Sequence, residues 1–306
     1  MTQAHRPFHV PVLLAPVLAA AAGARRAVDA TLGDGGHAAA LMEQGMELLA
    51  IDQDPDALAI SRARLGERGI HYLRAPFASA EALAAVRAFG PDFILLDLGV
   101  SSRQLDQERR GFTFRPGATL DMRMGGTGRT AADILNAASP EELETVFRDF
   151  GDERQARRLA GEIVRRRARQ PFATSDDLVN AIRAVLGAKA GPSEFARLFQ
   201  ALRIAVNDEA AQLERALTGF RDSLKPGGRL SIITYHSGED RRVKQAFREW
   251  AQSCVCPPGL PVCICRGRPL GSLVPRKPVL PSPEELRENP RARSAKLRTF
   301  RLDDAA

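Results

Sequence analysis

Two periodicities alternate along the chain. Short, nearly continuous apolar runs at 26–28, 46–51, 70–74 and 92–97 have the character of buried parallel strands. Between them, the segments from Ala38 onward, 54–65 and 79–89 read as helices, the second with Pro55 in its first turn and Leu58, Ile60 and Leu65 among its apolar positions. Strands alternating with helices predict an open, Rossmann-like α/β sheet. The run 10–22 is apolar but interrupted by Pro11 and Pro16, so a short helix packed on the sheet is expected there rather than a signal peptide.

The alternation then stops. An irregular stretch holds Gly111-Phe112-Thr113-Phe114 and Leu120-Asp121-Met122-Arg123-Met124, and 130–206 reads as helices only, with clear starts near Pro140, Asp152 and Ser193. The second of these carries Ala156, Leu159, Ala160 and Ile163 on one face and Arg154, Arg158, Arg165 and Arg169 on another. In the third, Gln200, Arg203 and Asn207 form a polar stripe expected to face solvent. A strand at 229–234, a helix reaching Trp250 and a final strand at 295–302 resume the α/β pattern. The helices are therefore expected as an insertion: 1–110 and 207–306 form one domain, and 111–206 an all-helical domain within it.

Candidate chemistry collects at the strand tips. Asp29-Ala30-Thr31-Leu32-Gly33-Asp34-Gly35-Gly36-His37 places glycines where the first strand turns into a helix, and Asp52 closes the second strand. Glycines allow close backbone approach to a ligand, and a carboxylate at the second tip suits the hydroxyls of an adenosine ribose. NAD and S-adenosylmethionine both satisfy this pattern. Phe77, after the third strand, fits either a core position or a stacking surface for adenine. Asp97 ends the fourth strand, where reacting groups meet in such sheets. His236 follows the fifth strand, as substrate contact or loop histidine, and Ser237 and Asp240 have the spacing of a helix cap.

Of the 306 residues 44% are hydrophobic and 26% charged, a globular composition. The formal net charge is +7, and 266–300 holds nine Lys or Arg against three Glu, so most of the excess lies near the C-terminus. A basic chain suits a polyanionic partner such as RNA, and the arginine stripe is either a phosphate grip or a solvated helix face. No run reaches the length of a membrane span, and a cytoplasmic protein is expected. Cys254, Cys256, Cys263 and Cys265 form two Cys-x-Cys pairs around a proline-rich loop. They could offer zinc four thiolates, but the spacing is tighter than in common zinc motifs, so reduced cysteines and no metal are expected.

Several motifs in one order resemble the ribosomal RNA small subunit methyltransferase H, or MraW, family. They are His9-Val10-Pro11-Val12-Leu13, the glycine loop, Ala50-Ile51-Asp52-Gln53-Asp54-Pro55 and Leu96-Asp97-Leu98-Gly99-Val100-Ser101-Ser102. Leu120-Asp121-Met122-Arg123-Met124, the segment from Phe199 to Asn207, His236-Ser237-Gly238-Glu239-Asp240 and Asn289-Pro290-Arg291-Ala292-Arg293-Ser294 continue the match over nearly the whole chain. The resemblance implies a class I S-adenosylmethionine-dependent methyltransferase with an inserted helical domain, acting on the N4 amine of a cytidine in the decoding region of 16S rRNA, naked or in the small ribosomal subunit. It implies that Gly35, Gly36 and His37 meet the methionine end of the cofactor, Asp52 the ribose, Phe77 the adenine region, and Asp97 and Gln104 the remaining edge. Arg103, where the family often has proline, and Gly125, where aspartate is common, depart from the pattern near the presumed substrate.

Two rivals belong to other classes. An NAD-linked oxidoreductase would explain the glycines and Asp52, but no second mononucleotide-binding half is visible. An RNA-binding protein without catalysis would not need the full set of cofactor residues. A methyltransferase of the same fold acting on a protein or small molecule is the nearest alternative. The sequence leaves the oligomeric state open.

Overall fold

A computed structural model describes residues 11–256, 262 and 264–304; His9, Val10, Cys263 and the proline-rich segment 257–261 lie outside the described residues. The chain divides into two compact units, Met1–Gly99 with Gln212–Ala306, and Val100–Ala211.

The first unit begins with α1 (Leu14–Ala21), β1 (Arg26–Asp29), α2 (Gly36–Glu43), β2 (Glu47–Asp52), α3 (Pro55–Leu65), β3 (Ile70–Arg74), α4 (Ala80–Phe89) and β4 (Phe93–Asp97). Asp54 and Ser79 cap α3 and α4 through side-chain bonds to Asp56 N–H and Ala82 N–H. The second unit holds α5 (Ser102–Asp106), α6 (Ala131–Ala137), α7 (Pro140–Thr145), α8 (Ala156–Arg167), α9 (Ser175–Leu186) and α10 (Pro192–Val206). Then α11 (Glu209–Arg221) leads to β5 (Arg229–Thr234), α12 (Ser237–Trp250), β6 (Gly271–Leu273), α13 (Pro283–Glu288) and β7 (Lys296–Leu302).

The seven strands lie in the order β3-β2-β1-β4-β5-β7-β6. The first five are parallel, and β7 runs antiparallel to both β5 and β6. This is an open, Rossmann-like sheet, with strand order reversing between β1 and β4. The strands read as continuous apolar runs because both faces are covered. In β4, Ile94 and Leu96 join a core with α4, α11 and α12, while Phe93 and Leu95 join one with α1 and α2. Burial of this kind stabilises by roughly 25 cal/mol per Å² of apolar surface and dominates the fold.

The second unit has its own core, in which Leu159, Ile163, Leu178, Ile182, Leu198 and Leu202 are fully buried. Two of the three residues expected to face solvent along α10, Arg203 and Asn207, are held by protein partners instead. Arg203 is paired with Glu209 through Nε at 2.8 Å and Nη2 at 2.9 Å. Asn207 accepts from Met124 N–H at 2.9 Å and donates to Met122 O at 2.8 Å and Arg203 O at 2.9 Å. Asn207 thereby fastens the irregular loop, whose Met122 adopts a left-handed φ of 62°.

Candidate active site

In an open α/β sheet the crevice at the reversal of strand order, beyond the carboxyl ends of the strands, is where ligands bind. Here that crevice is bounded by the tips of β1, β2, β4 and β5. The glycine loop, which follows β1, is tied to β2 and β4 by three bonds: Ala30 N–H donates to Leu95 O, Leu32 N–H to Ile51 O, and Asp97 N–H to Thr31 Oγ1 at 2.7 Å. Glycine is required at two positions. Gly35 has φ 74°, and a Cβ there would lie 2.9 Å from Ser61 Oγ; a Cβ on Gly36 would lie 2.5 Å from Pro11 Cγ.

Four acidic or imidazole side chains surround this loop. Asp52 receives Gly33 N–H on Oδ2 at 2.9 Å and Asp54 N–H on Oδ1 at 2.8 Å, which sets its orientation at the tip of β2. Asp29 is buried, and burial pushes its carboxyl up to about 6, opposed by His37 and the Thr31 N–H. His37 is also buried, and its Nε2 lies 2.9 Å from Val12 O. A carbonyl accepts only a proton-bearing nitrogen, so the ring is protonated on Nε2 and presents Nδ1 as a lone pair. Burial holds the imidazole below its ordinary value, so it is neutral near pH 7. Asp97 accepts the Tyr235 hydroxyl on Oδ1 at 2.8 Å, and its Oδ2 lies 3.8 Å from His37 Nδ1. Burial raises Asp97 to about 7 against the lowering effect of Tyr235, with the Glu239 charge adding to the rise. Tyr235 is raised in turn by burial and by Asp97, and stays a hydrogen-bond donor.

The structure thus gathers Gly35, Gly36, His37, Asp52 and Asp97 at one crevice. Phe77 is half-buried against the core behind β3 and β4. Gln104 belongs to the second unit, where it is buried and closes a capping box on α5: its Oε1 accepts Ser101 N–H at 3.0 Å, and Ser101 Oγ accepts Gln104 N–H at 3.2 Å. His236, not Ser237, caps α12, accepting Glu239 N–H on Nδ1 at 3.4 Å, while Glu239 Oε2 accepts Tyr235 N–H at 3.0 Å. Asp240 is no capping partner; it pairs with Arg298 at 2.8 Å and 3.2 Å. Tyr235 is the residue that sequence reading passed over. Its signal was a polar aromatic directly after the fifth strand, beside the one that ends in Asp97.

The crevice is rich in acceptors. Asp29, Asp34, Asp52 and Asp97 lie on or beside the loop, joined by the Nδ1 lone pair of His37. A pyrophosphate would meet repulsion here. Ribose hydroxyls, an ammonium group and a sulfonium centre all match it in hydrogen bonding or charge.

The family model for the MraW methylase family matches residues 6–302. A ribosomal RNA small subunit methyltransferase H from Gemmatimonas aurantiaca is 55% identical over 300 residues, covering 96% of this chain and 95% of that protein. Proteins of the same name from Heliobacterium modesticaldum and Symbiobacterium thermophilum are 46% and 45% identical, each covering 95% of this chain and 97% and 95% of their own lengths. A solved rRNA methylase from Streptococcus thermophilus, at 11% identity and a TM-score of 0.37 over 91% of this chain and 87% of that one, is too distant to bear on fold or function. A sheet with its strand order reversing at an acceptor-lined glycine loop and a family match over nearly its full length place this chain in the MraW methylase family.

Proposed function

We propose that this protein transfers a methyl group from S-adenosylmethionine to the N4 amine of a cytidine in the decoding region of small-subunit ribosomal RNA. The observation that carries the reading is the acceptor-rich crevice: it suits a cationic, hydroxylated methyl donor and disfavours a dinucleotide. Family membership and the names of the relatives, ribosomal RNA small subunit methyltransferases, support an RNA substrate. When bound, the cofactor supplies an electrophilic methyl group on sulfur. Asp52 accepts from the ribose hydroxyls, Phe77 borders the adenine, and Gly35, Gly36 and His37 meet the methionine end, where Nδ1 accepts an ammonium N–H.

A cytosine amine is a weak nucleophile because its lone pair is conjugated into the ring. Transfer needs that nitrogen held in line with the methyl carbon and its N–H groups bonded to acceptors as it turns tetrahedral. Asp97 is built for this. Tyr235 fixes one carboxylate oxygen, and Oδ2 is the acceptor that orients the cofactor and polarises the amine. The segment Asp97-Leu98-Gly99-Val100 lacks the Pro-Pro-aromatic signature of DNA amino-methyltransferases, so Asp97 takes up the acceptor role by its own geometry. The target base is unstacked to reach the crevice, as for other base-modifying enzymes, and the helical unit holds the surrounding RNA.

The test offers labelled S-adenosylmethionine with naked 16S rRNA and with small subunits lacking the modification, followed by nucleoside mass spectrometry. N4-methylcytidine establishes the reaction, and the better substrate fixes its place in assembly. No methylated nucleoside despite cofactor binding moves the substrate to a protein or small molecule. Asp97→Asn separates the two roles of that residue: retained cofactor affinity with lost turnover supports polarisation, and near-normal turnover removes it.

A further inference from the structure

Among the described residues, the loop between α12 and β6 adds no buried side chain to the hydrophobic cores. Of the five large hydrophobic side chains exposed among the described residues, three lie here: Val255 at 36%, Val262 at 69% and Ile264 at 79% exposure. Its base is anchored by polar bonds. Arg266 donates to the carbonyls of Glu249, Trp250 and Gln252, and Leu270 N–H returns to Trp250 O at 2.8 Å. The sulfurs of Cys254, Cys256 and Cys265 all lie within 4.8 Å of one another. Segments too small to bury a core are held by disulfides or metals.

We infer that Cys254, Cys256 and Cys265 bind a structural zinc ion that staples this loop. The sulfurs of Cys254 and Cys265 are 3.9 Å apart. Two thiolates on one tetrahedral zinc, with bonds of about 2.3 Å, stand about 3.8 Å apart, whereas bonded disulfide sulfurs stand at about 2.05 Å. Val255 N–H points at Cys265 Sγ at 3.3 Å, the kind of backbone bond that steadies a metal-bound thiolate. The cluster consists of cysteines alone, a soft donor set that selects zinc over calcium or magnesium. The sequence expectation of no metal rested on the tight Cys-x-Cys spacing; the fold overcomes it by bringing the two ends of the loop together.

The site is independent of the methyl-transfer reading, because metal content is read without RNA or cofactor. Full-length chain produced with zinc in the medium and desalted is expected to carry about one zinc per chain by elemental mass spectrometry, with most of it lost in Cys254→Ser and in Cys265→Ser. Exchange into cobalt is expected to give thiolate-to-cobalt charge-transfer absorption in wild type and none in either variant. Circular dichroism checks that the variants fold. Should either fail, chelator-stripped wild type is the comparison, and its thiols are expected to react with a thiol reagent severalfold faster than those of the zinc-loaded chain. A folded wild type that holds no zinc and shows no cobalt charge transfer overturns the inference. So does iron in place of zinc, or a disulfide among these cysteines detected by intact mass.

Discussion

Asp97 stands where residue chemistry and stability pull in opposite directions. Its folded value of about 7 lies above the ordinary carboxylate range, so between about pH 4 and 7 the folded chain holds a proton that the unfolded chain has lost. Stability contributed by this group is therefore full at low pH and falls as pH rises towards 7, and Asp29, raised to about 6, acts with the same sign. Asp97→Asn removes the charge and keeps an acceptor for Tyr235. It is expected to match wild type near pH 4 and exceed it at pH 8 by on the order of 2 kcal/mol, read from thermal unfolding across pH. Lower stability at every pH would mean that the carboxylate is structural. Tyr235→Phe removes the bond that holds Asp97 down, so the acid limb of the kcat/KM profile is expected to move to higher pH while the rate at high pH changes less. Gly36→Ala drives a methyl into Pro11, and overpacking of this kind costs about 1–3 kcal/mol; lower unfolding temperature and weaker cofactor binding are expected together. The glycine loop, Asp52 and Asp97 were legible in sequence because they sit at strand ends with fixed offsets. Tyr235 was not, since its role depends on which strand lies beside β4, and Asp97↔Ile233 pairing is a fact of topology.

At the scale of elements, local signals were read well and distant ones poorly. The strands Ile70–Arg74 and Arg229–Thr234 follow from their own apolar runs, whereas β6 is three residues long and exists through its pairing with β7. The cap of α12 misled for a related reason. Ser237 and Asp240 have capping residue types, but Asp240 is claimed by Arg298, 58 positions later, and His236 takes the cap. Asn207 reads as solvated in sequence because its partners, Met124 and Met122, lie 83 and 85 positions earlier. Asn207→Ala deletes its side-chain bonds to Met124 N–H, Met122 O and Arg203 O, so the left-handed Met122 keeps its N–H bond to Arg110 O but loses the one on its carbonyl. A loss of about 2–3 kcal/mol is expected, with faster amide hydrogen exchange confined to the loop around Met122–Met124; exchange unchanged there would mean that other contacts hold the loop.

For the whole molecule, the reading of the helices as an insertion rests on the return of strand periodicity after a purely helical stretch, because an interrupted sheet must recover its remaining strands. The surface was harder to read, since charge counts do not say which charges are already neutralised. The arginine stripe shows the difference. Arg165 is held by Glu162 through two bonds at 2.8 Å and 2.7 Å, and the pairing holds that carboxyl down to about 2. Arg154, Arg158 and Arg169 are exposed, with Arg154 and Arg169 beyond the ends of α8. Each arginine that releases a counterion on meeting a phosphate contributes roughly 0.7–0.9 to the slope of log affinity against log salt. Replacing all four by alanine is expected to lower that slope by about 2 to 3, with cofactor affinity unchanged. Restoring Arg165 alone recovers the least, because Glu162 already balances its charge; restoring Arg158 recovers more. Equal recovery from both would mean that RNA phosphate displaces Glu162 from its arginine. An unchanged slope in the fourfold variant would make the stripe a solvated face and leave RNA attachment to the basic C-terminal segment, where most of the net positive charge lies.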